Sequence, residues 1–313
     1  MTAWTDLAAD YIRLRRQLGA DLHWPEHLLG QLCVDLDAAG CSVLTVDFAI
    51  AWSSVLPGGV ADPPPSRATT RMTAIRGFAT HLHALNPDHE VPPAGIFPTT
   101  SHRARPYIYT GAEIAAVIRA AATLTGELRV RTFPVVFALL AATGMRIGEA
   151  LALDRDTVDL DDGVLLIRRG KNGDPRLVPL HASAVAALEQ YSRRRGEHRV
   201  SAQGQAFFAD SRGRRVKYPT VLDAFVHAST AAGLRTATQR PRMHDLRHTF
   251  AVNTLLGWYR EGADVAAKMP ALSVYLGHSD PANTYWYVSA VPELLAHAAT
   301  RLGARVLSGA GES

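Results

Sequence analysis

From Asn86 to Pro106 the chain loses its periodicity. The stretch NPDHEVPPAGIFPTTSHRARP is rich in Pro, His and Thr, and its apolar residues recur at neither the strand nor the helix period. Such a break within 313 residues separates the hydrophobic material into two cores, each of which must close by itself. It reads as an interdomain linker. We therefore expect one domain over 1–88, a linker over 89–107 and a second domain over 108–313.

Upstream of the break the pattern is helical. Trp4, Leu7, Ala8, Tyr11 and Ile12 recur at helical spacing and open the chain with a helix. A second runs from about Pro25 to Ala39 and stops at Gly40. Thr45 can cap a third through Leu56, before Pro57-Gly58-Gly59. Pro63-Pro64-Pro65 and Ser66 start a fourth, SRATTRMTAIRGFATHLHAL.

Downstream, Thr110-x-x-Glu113 is a capping box that opens a helix. The segment RTFPVVFALLAAT predicts a core helix that Gly144 ends. The runs VLLIR (164–168) and RLVPL (176–180) are short, apolar and β-rich. GKNGDP lies between them, and its Asn-Gly is a hairpin signal. Gln205–Asp210 and Arg214–Tyr218 predict another small strand pair, and Pro219 to Leu302 is helical again. The expected fold is mainly α with a small β-hairpin edge.

Composition narrows the function classes. The net charge is +4, and it is uneven: residues 1–107 carry eight Lys and Arg against ten Asp and Glu, the rest 25 against 19. A basic second domain permits a nucleic-acid partner. Two cysteines, Cys33 and Cys41, cannot build a disulfide framework or a four-ligand zinc site, and suit a reducing compartment. MTAWTDLAAD lacks the basic start and apolar run of a signal peptide. The longest apolar stretch, Phe133–Met145, is shorter than the roughly 20 residues that span a bilayer. We expect a cytoplasmic protein without a membrane partner.

Four segments of the second domain carry chemistry. In ATGMRIGEA, Arg146 follows a helix-ending glycine and starts a new helix, a suitable place for a guanidinium to meet an anion. Glu149, one turn on, would hold it in place; the alternative is an ordinary surface pair. Lys171 lies in the hairpin turn RRGKNGDPRL. It either reaches into a neighbouring site as a proton donor or is a solvated turn lysine. In MHDLRHTFA, His244 and Arg247 are three apart on a helix and share a face, with His248 on an adjacent one. A bidentate cation beside an imidazole suits phosphate recognition and proton transfer. In LGHSDPANTYWYV, His278 ends one helix, Asp280 can cap the next, and Tyr287 stands nearly two turns into it.

The strings ATGMRIGEAL, GKNGDPRLVPL, HDLRHTFA and LGHSDPANTYWYV, in this order, resemble the tyrosine recombinase (phage integrase) family over most of residues 108–295. The resemblance implies a helical, SAM-like core-binding domain followed by a catalytic domain. It also implies a site-specific recombinase or integrase, and its last box looks most like transposon- or phage-associated members. Tyr287 would attack a DNA phosphate to give a 3′-phosphotyrosine and a free 5′-hydroxyl. It lies nine residues after His278, as the family's nucleophile does, whereas Tyr285 lies about 160° around the helix from it. Arg146 and Arg247 would clamp the non-bridging oxygens, and Lys171 would protonate the leaving oxygen. His244 would accept or relay the tyrosine proton, and His278 would hydrogen-bond the phosphate, with Glu149 in support. No metal and no cofactor is implied. The partner would be double-stranded DNA, bound by a homotetramer with a dimer at each site. Candidate phosphate contacts are Arg13, Arg16, Arg67, Arg71 and Arg76 in the first domain, where the alternative is an ordinary solvated helix face, and Arg214 and Lys217 in the second. Other implied classes are a DNA-binding protein of this fold without catalysis and a type IB topoisomerase-like enzyme. The tail from Pro292 predicts an amphipathic helix that docks on its own domain or on a neighbouring subunit.

Overall fold

The computed structural model describes residues 3–20, 22–56, 60–61, 65–98, 105–168, 175–197, 205–210, 212–278 and 280–290. Lys171 and the tail from Pro292 lie outside the described residues. The chain forms two compact units, Met1–Ala104 and Arg105–Ser313.

The first unit is helical. Helices α1 (Ala3–Gln17), α2 (His23–Ala38), α3 (Val46–Ser53) and α4 (Pro65–Leu85) close on one core. Leu32, Leu36, Leu44, Phe78 and Leu82 are completely buried in it. Each such side chain contributes about 1.5–3 kcal/mol. The Thr45 hydroxyl caps α3 by accepting from the Phe48 amide at 3.2 Å. Helix α3 stops at Ser53, short of the expected Leu56. Val55 and Leu56 instead form β1 and pair antiparallel with Ala61 and Val60 of β2.

Residues 89–98 do not behave as the expected linker. His89 is buried, and its Nδ1 accepts from the Leu44 amide at 3.0 Å. Glu90 donates its amide to the Leu44 carbonyl, and its carboxylate accepts from the Val46 amide. Ile96 and Phe97 pack on the same core. The reason lies at the start of α3. Its first amides have no partner inside the helix, and this segment supplies one.

The second unit opens with α5 (Gly111–Ala121), α6 (Glu127–Thr143) and α7 (Ile147–Ala152). Thr110 and Glu113 make the reciprocal capping box on α5. Strands β3 (Val158–Asp159), β4 (Val164–Ile167) and β5 (Arg176–Pro179) form an antiparallel sheet in that order. Leu165 faces Val178 in the ladder, and both are buried while Leu177 is exposed, the alternation of a half-buried strand. Helices α8 (Ala182–Glu197), α9 (Tyr218–Ala231), α10 (Asp245–Arg260), α11 (Val265–Leu276) and α12 (Ala282–Ala290) follow.

The strand pair expected over 205–218 reduces to single bridges, Asp154 with Ala206 and Ala209 with Arg215. Turn chemistry wins there. Asp210 accepts from the amides of Arg212 and Arg214, and the Arg215 guanidinium reaches the Leu151 and Leu153 carbonyls.

One core joins α5, α6, α9 and the sheet, and a second joins α10, α11 and α12. Tyr109 bridges toward the second: its amide donates to Thr249 Oγ1 and its hydroxyl to the Arg242 carbonyl.

Candidate active site

The site is built where α6 ends, α10 begins, and α11 hands over to α12. Helix α6 ends on Gly144 in the left-handed conformation, at φ +61°. A Cβ there would lie 2.5 Å from Phe250 Cδ1, so the turn fits against α10 only as glycine. Two residues on, Arg146 stands just before α7. Its amide donates to Glu149 Oε2 at 2.9 Å and its Nη1 to Oε1 at 2.8 Å. Its Nη2 donates to the Gly277 carbonyl at 2.7 Å. Gly277 is the left-handed cap of α11, at φ +67°.

Arg247, on the first turn of α10, is 3% exposed. Its Nη1 donates to the Gly144 carbonyl at 2.8 Å and its Nη2 to the Leu276 carbonyl at 2.7 Å. The two arginines thus hold the ends of α6 and α11 by their orphan carbonyls. Burial first, and then the neighbouring Arg146, lower the Arg247 guanidinium to about 10.

Arg176, at the start of β5, is a member that reading the sequence missed. Its Nη1 and Nη2 donate to Glu149 at 3.0 and 2.7 Å, and its Nε donates to the Tyr275 carbonyl at 2.9 Å. Glu149 is therefore shared by two guanidinia. Burial would raise its carboxyl, but hydrogen bonds from Arg176 and then Arg146 bring it below the ordinary range. Three guanidinia around one carboxylate leave the site cationic, an environment suited to a phosphate diester. The signal in the sequence was a charged residue opening an apolar strand run.

Imidazoles and a phenol complete the group. Tyr287 on α12 is 2% exposed, and its hydroxyl lies 2.9 Å from His248 Nδ1. His278 packs against the phenol, with ring centroids 6.3 Å apart, and its Nδ1 lies 2.7 Å from Thr284 Oγ1. His244 is exposed at the start of α10, its ring edge-on to His248 at 4.8 Å. Its imidazole sits below its ordinary value, through desolvation by the surrounding protein and then the Arg247 charge. The imidazole against the phenol hydroxyl is thus His248, where His244 was expected. The two lie one helical turn apart, and α12 meets α10 at the second. Tyr285 is 52% exposed.

Arg146, Glu149, His244, Arg247, His278 and Tyr287 are brought together within the second unit. The expected phosphate contacts fare differently. Arg71 is corrected: it is 4% exposed, stacks 3.4 Å over the Trp52 ring and donates to the Trp52 carbonyl at 2.8 Å. A guanidinium so enclosed supports the first core and cannot meet a DNA backbone. Arg13 pairs with Asp10, Arg16 with Glu26 and Arg214 with Asp210. Arg76 donates to the carbonyls of Pro92 and Pro93. Arg67 and Lys217 are exposed.

The model of the phage integrase family matches residues 109–293. Over 313 aligned residues the chain is 37% identical to the protein y4rB of Sinorhizobium fredii, spanning 97% of this chain and 98% of that one. It is 35% identical over 226 residues to the tyrosine recombinase XerD of Mycobacterium tuberculosis, spanning 70% of this chain and 68% of the relative. Among solved structures it shares the fold of a lambda integrase tetramer bound to a Holliday junction. The TM-score is 0.57 at 16% identity, over 90% of this chain and 76% of that one.

Proposed function

This chain belongs to the phage integrase family of tyrosine recombinases, and on that premise we propose that it cleaves and rejoins duplex DNA at specific sites through a 3′-phosphotyrosine intermediate. One observation carries the assignment: a buried phenol, Tyr287, lies against His248 and His278 beside the guanidinia of Arg247 and Arg146, with His244 exposed at the edge of the group. Tyr287 oxygen forms the new bond to phosphorus, and the bond to the 5′-oxygen breaks. Arg146 and Arg247 stabilise the charge that grows on the non-bridging oxygens, as fixed donors in a water-poor site do best. Glu149 and Arg176 keep Arg146 in position. His278 donates to the phosphate, and His244 relays the tyrosine proton toward solvent. Lys171 protonates the leaving 5′-oxygen. A 5′-hydroxyl from another strand then reverses the step and frees Tyr287. One phosphodiester replaces another, so the exchange proceeds without a nucleotide cofactor.

The protein partner is a second copy of the chain: a dimer on each DNA site and a tetramer when two sites meet. The tetrameric assembly of lambda integrase on a Holliday junction supports this. Arg67 and Lys217 are the phosphate contacts that the exposed surface favours. The enzyme acts in the cytoplasm on the DNA of a mobile element. The first unit, Met1–Ala104, grips DNA as the core-binding domain, and the second, Arg105–Ser313, carries the chemistry.

The test is covalent trapping on nicked DNA from the borders of the coding gene, resolved on denaturing gels. Wild type and Tyr285→Phe form the adduct, and Tyr287→Phe does not. Loss only in Tyr285→Phe would move the nucleophile. DNA retardation by the wild type without an adduct would leave a binding protein of this fold. Relaxation of supercoils by the monomer, without strand exchange, would make it a topoisomerase-like enzyme.

A further inference from the structure

The Tyr287 hydroxyl is held by a residue that the steps above do not use. His248 follows Arg247 on α10, and its Nδ1 lies 2.9 Å from that hydroxyl. Its ring is boxed by three others: Tyr287 with centroids 5.5 Å away, Trp286 at 5.7 Å and His244 at 4.8 Å. A ring packed on several sides keeps one rotamer, so its lone pair points in a fixed direction. The two helices that carry the pair share one buried core with α11, which fixes their separation.

We propose that His248 is a positioning residue for the nucleophile: its Nδ1 accepts the Tyr287 hydroxyl hydrogen, which fixes that hydrogen on the protein side and leaves an oxygen lone pair for phosphorus. This requires the imidazole proton on Nε2. It also requires a neutral ring. Burial, and then the nearby His244, hold His248 at about 4, so the acceptor is present throughout the neutral range. His248 does not take the proton away; that remains the task of the outer relay.

The inference rests on the recombinase reading, and the test separates the two. Adduct formation on nicked DNA is followed in a single turnover beside DNA affinity, for wild type, Tyr287→Phe and three variants of His248. His248→Phe keeps a ring and deletes the acceptor. His248→Asn places an amide oxygen near the position of Nδ1, and His248→Gln places it near Nε2 instead. The cleavage rate is expected to fall on the order of a hundredfold in the Phe and Gln variants, the scale of a misplaced reacting group. The Asn variant should recover to within about tenfold of wild type, with affinity unchanged in all three. A merely packed ring would give the opposite order, with Phe retained and Asn lost. That order would overturn the inference, as would an Asn variant no faster than Gln, or a Phe variant as fast as wild type or faster. Absence of a Tyr287-dependent adduct in the wild type would overturn the reading of the site, and this inference with it.

Discussion

Replacing Arg176 by Met removes one side of a buried carboxylate clamp. The side chains of Arg176 and Glu149 are 9% and 5% exposed, so neither has water to fall back on. The guanidinium makes two bonds to Glu149, at 3.0 and 2.7 Å, and a third to the Tyr275 carbonyl at 2.9 Å. Breaking such a pair by removing one partner costs roughly 3–5 kcal/mol, because the other charge is stranded. Here Arg146 still holds Glu149 Oε1 at 2.8 Å, which puts the expected loss at the low end, about 3 kcal/mol. In a unit of roughly 200 residues this lowers the melting temperature by about 6–12 °C. Calorimetry of the full chain, following the transition of the second unit, measures it. A double-mutant cycle with Glu149→Gln assigns it to the pair.

The pH dependence supplies a second arm. Glu149 is held below its unfolded value, so the clamp contributes fully above about pH 4.3 and is lost as pH falls through the lower folded value. The gap between wild type and Arg176→Met should therefore be wide at pH 7 and close in stronger acid. A variant melting within about 2 °C of wild type at pH 7 would refute the reasoning, since the pair would then behave like an exposed one. So would a gap as wide at pH 3 as at pH 7.

Other consequences can be measured on the same protein. Gly277→Ala places a Cβ 2.8 Å from Arg176 Nη1 at a φ of +67°; we expect a loss of about 1–2 kcal/mol in melts, with slower adduct formation. Arg71→Ala should destabilise the first unit by about 2–3 kcal/mol in urea, since stacking and a buried hydrogen bond go together. Arg67→Ala should leave stability unchanged, weaken DNA binding and reduce the salt slope by about one in mobility shifts at several salt concentrations. His248, lowered to about 4, binds a proton more readily unfolded than folded. Stability should thus fall by about 3 kcal/mol as pH drops from 6.5 to 4, and this component should be missing from His248→Phe in urea melts across that range.

The fourth box shows how far linear spacing carries. A separation of nine residues puts His278 and Tyr287 on the same site once α11 and α12 pack, and their rings do meet. The resemblance gave the tyrosine proton to His244, whereas the imidazole that lies against the phenol is His248. Which turn of α10 faces α12 depends on the crossing of the two helices, and no local pattern encodes that. Arg71 failed for a related reason. It lies on a helix with other arginines, and only the approach of Trp52 from α3 turns it inward. Residues 89–98 read as linker because they lack periodicity, yet unpaired amides at the start of α3 bind them to the first core.

The sequence by itself determined the helical elements, their caps and the β-hairpin edge. These depend on short-range rules: 3.6-residue spacing, Thr45 and Thr110 as caps, Gly144 and Gly277 as stops. Only the tertiary structure decided which groups touch: Arg176 on Glu149, His248 on Tyr287, and the arginines on carbonyls at the ends of α6 and α11. The partners in these contacts stand 27 to 131 residues apart in the chain. They are set by how buried faces pack and by which orphaned polar groups must then be satisfied.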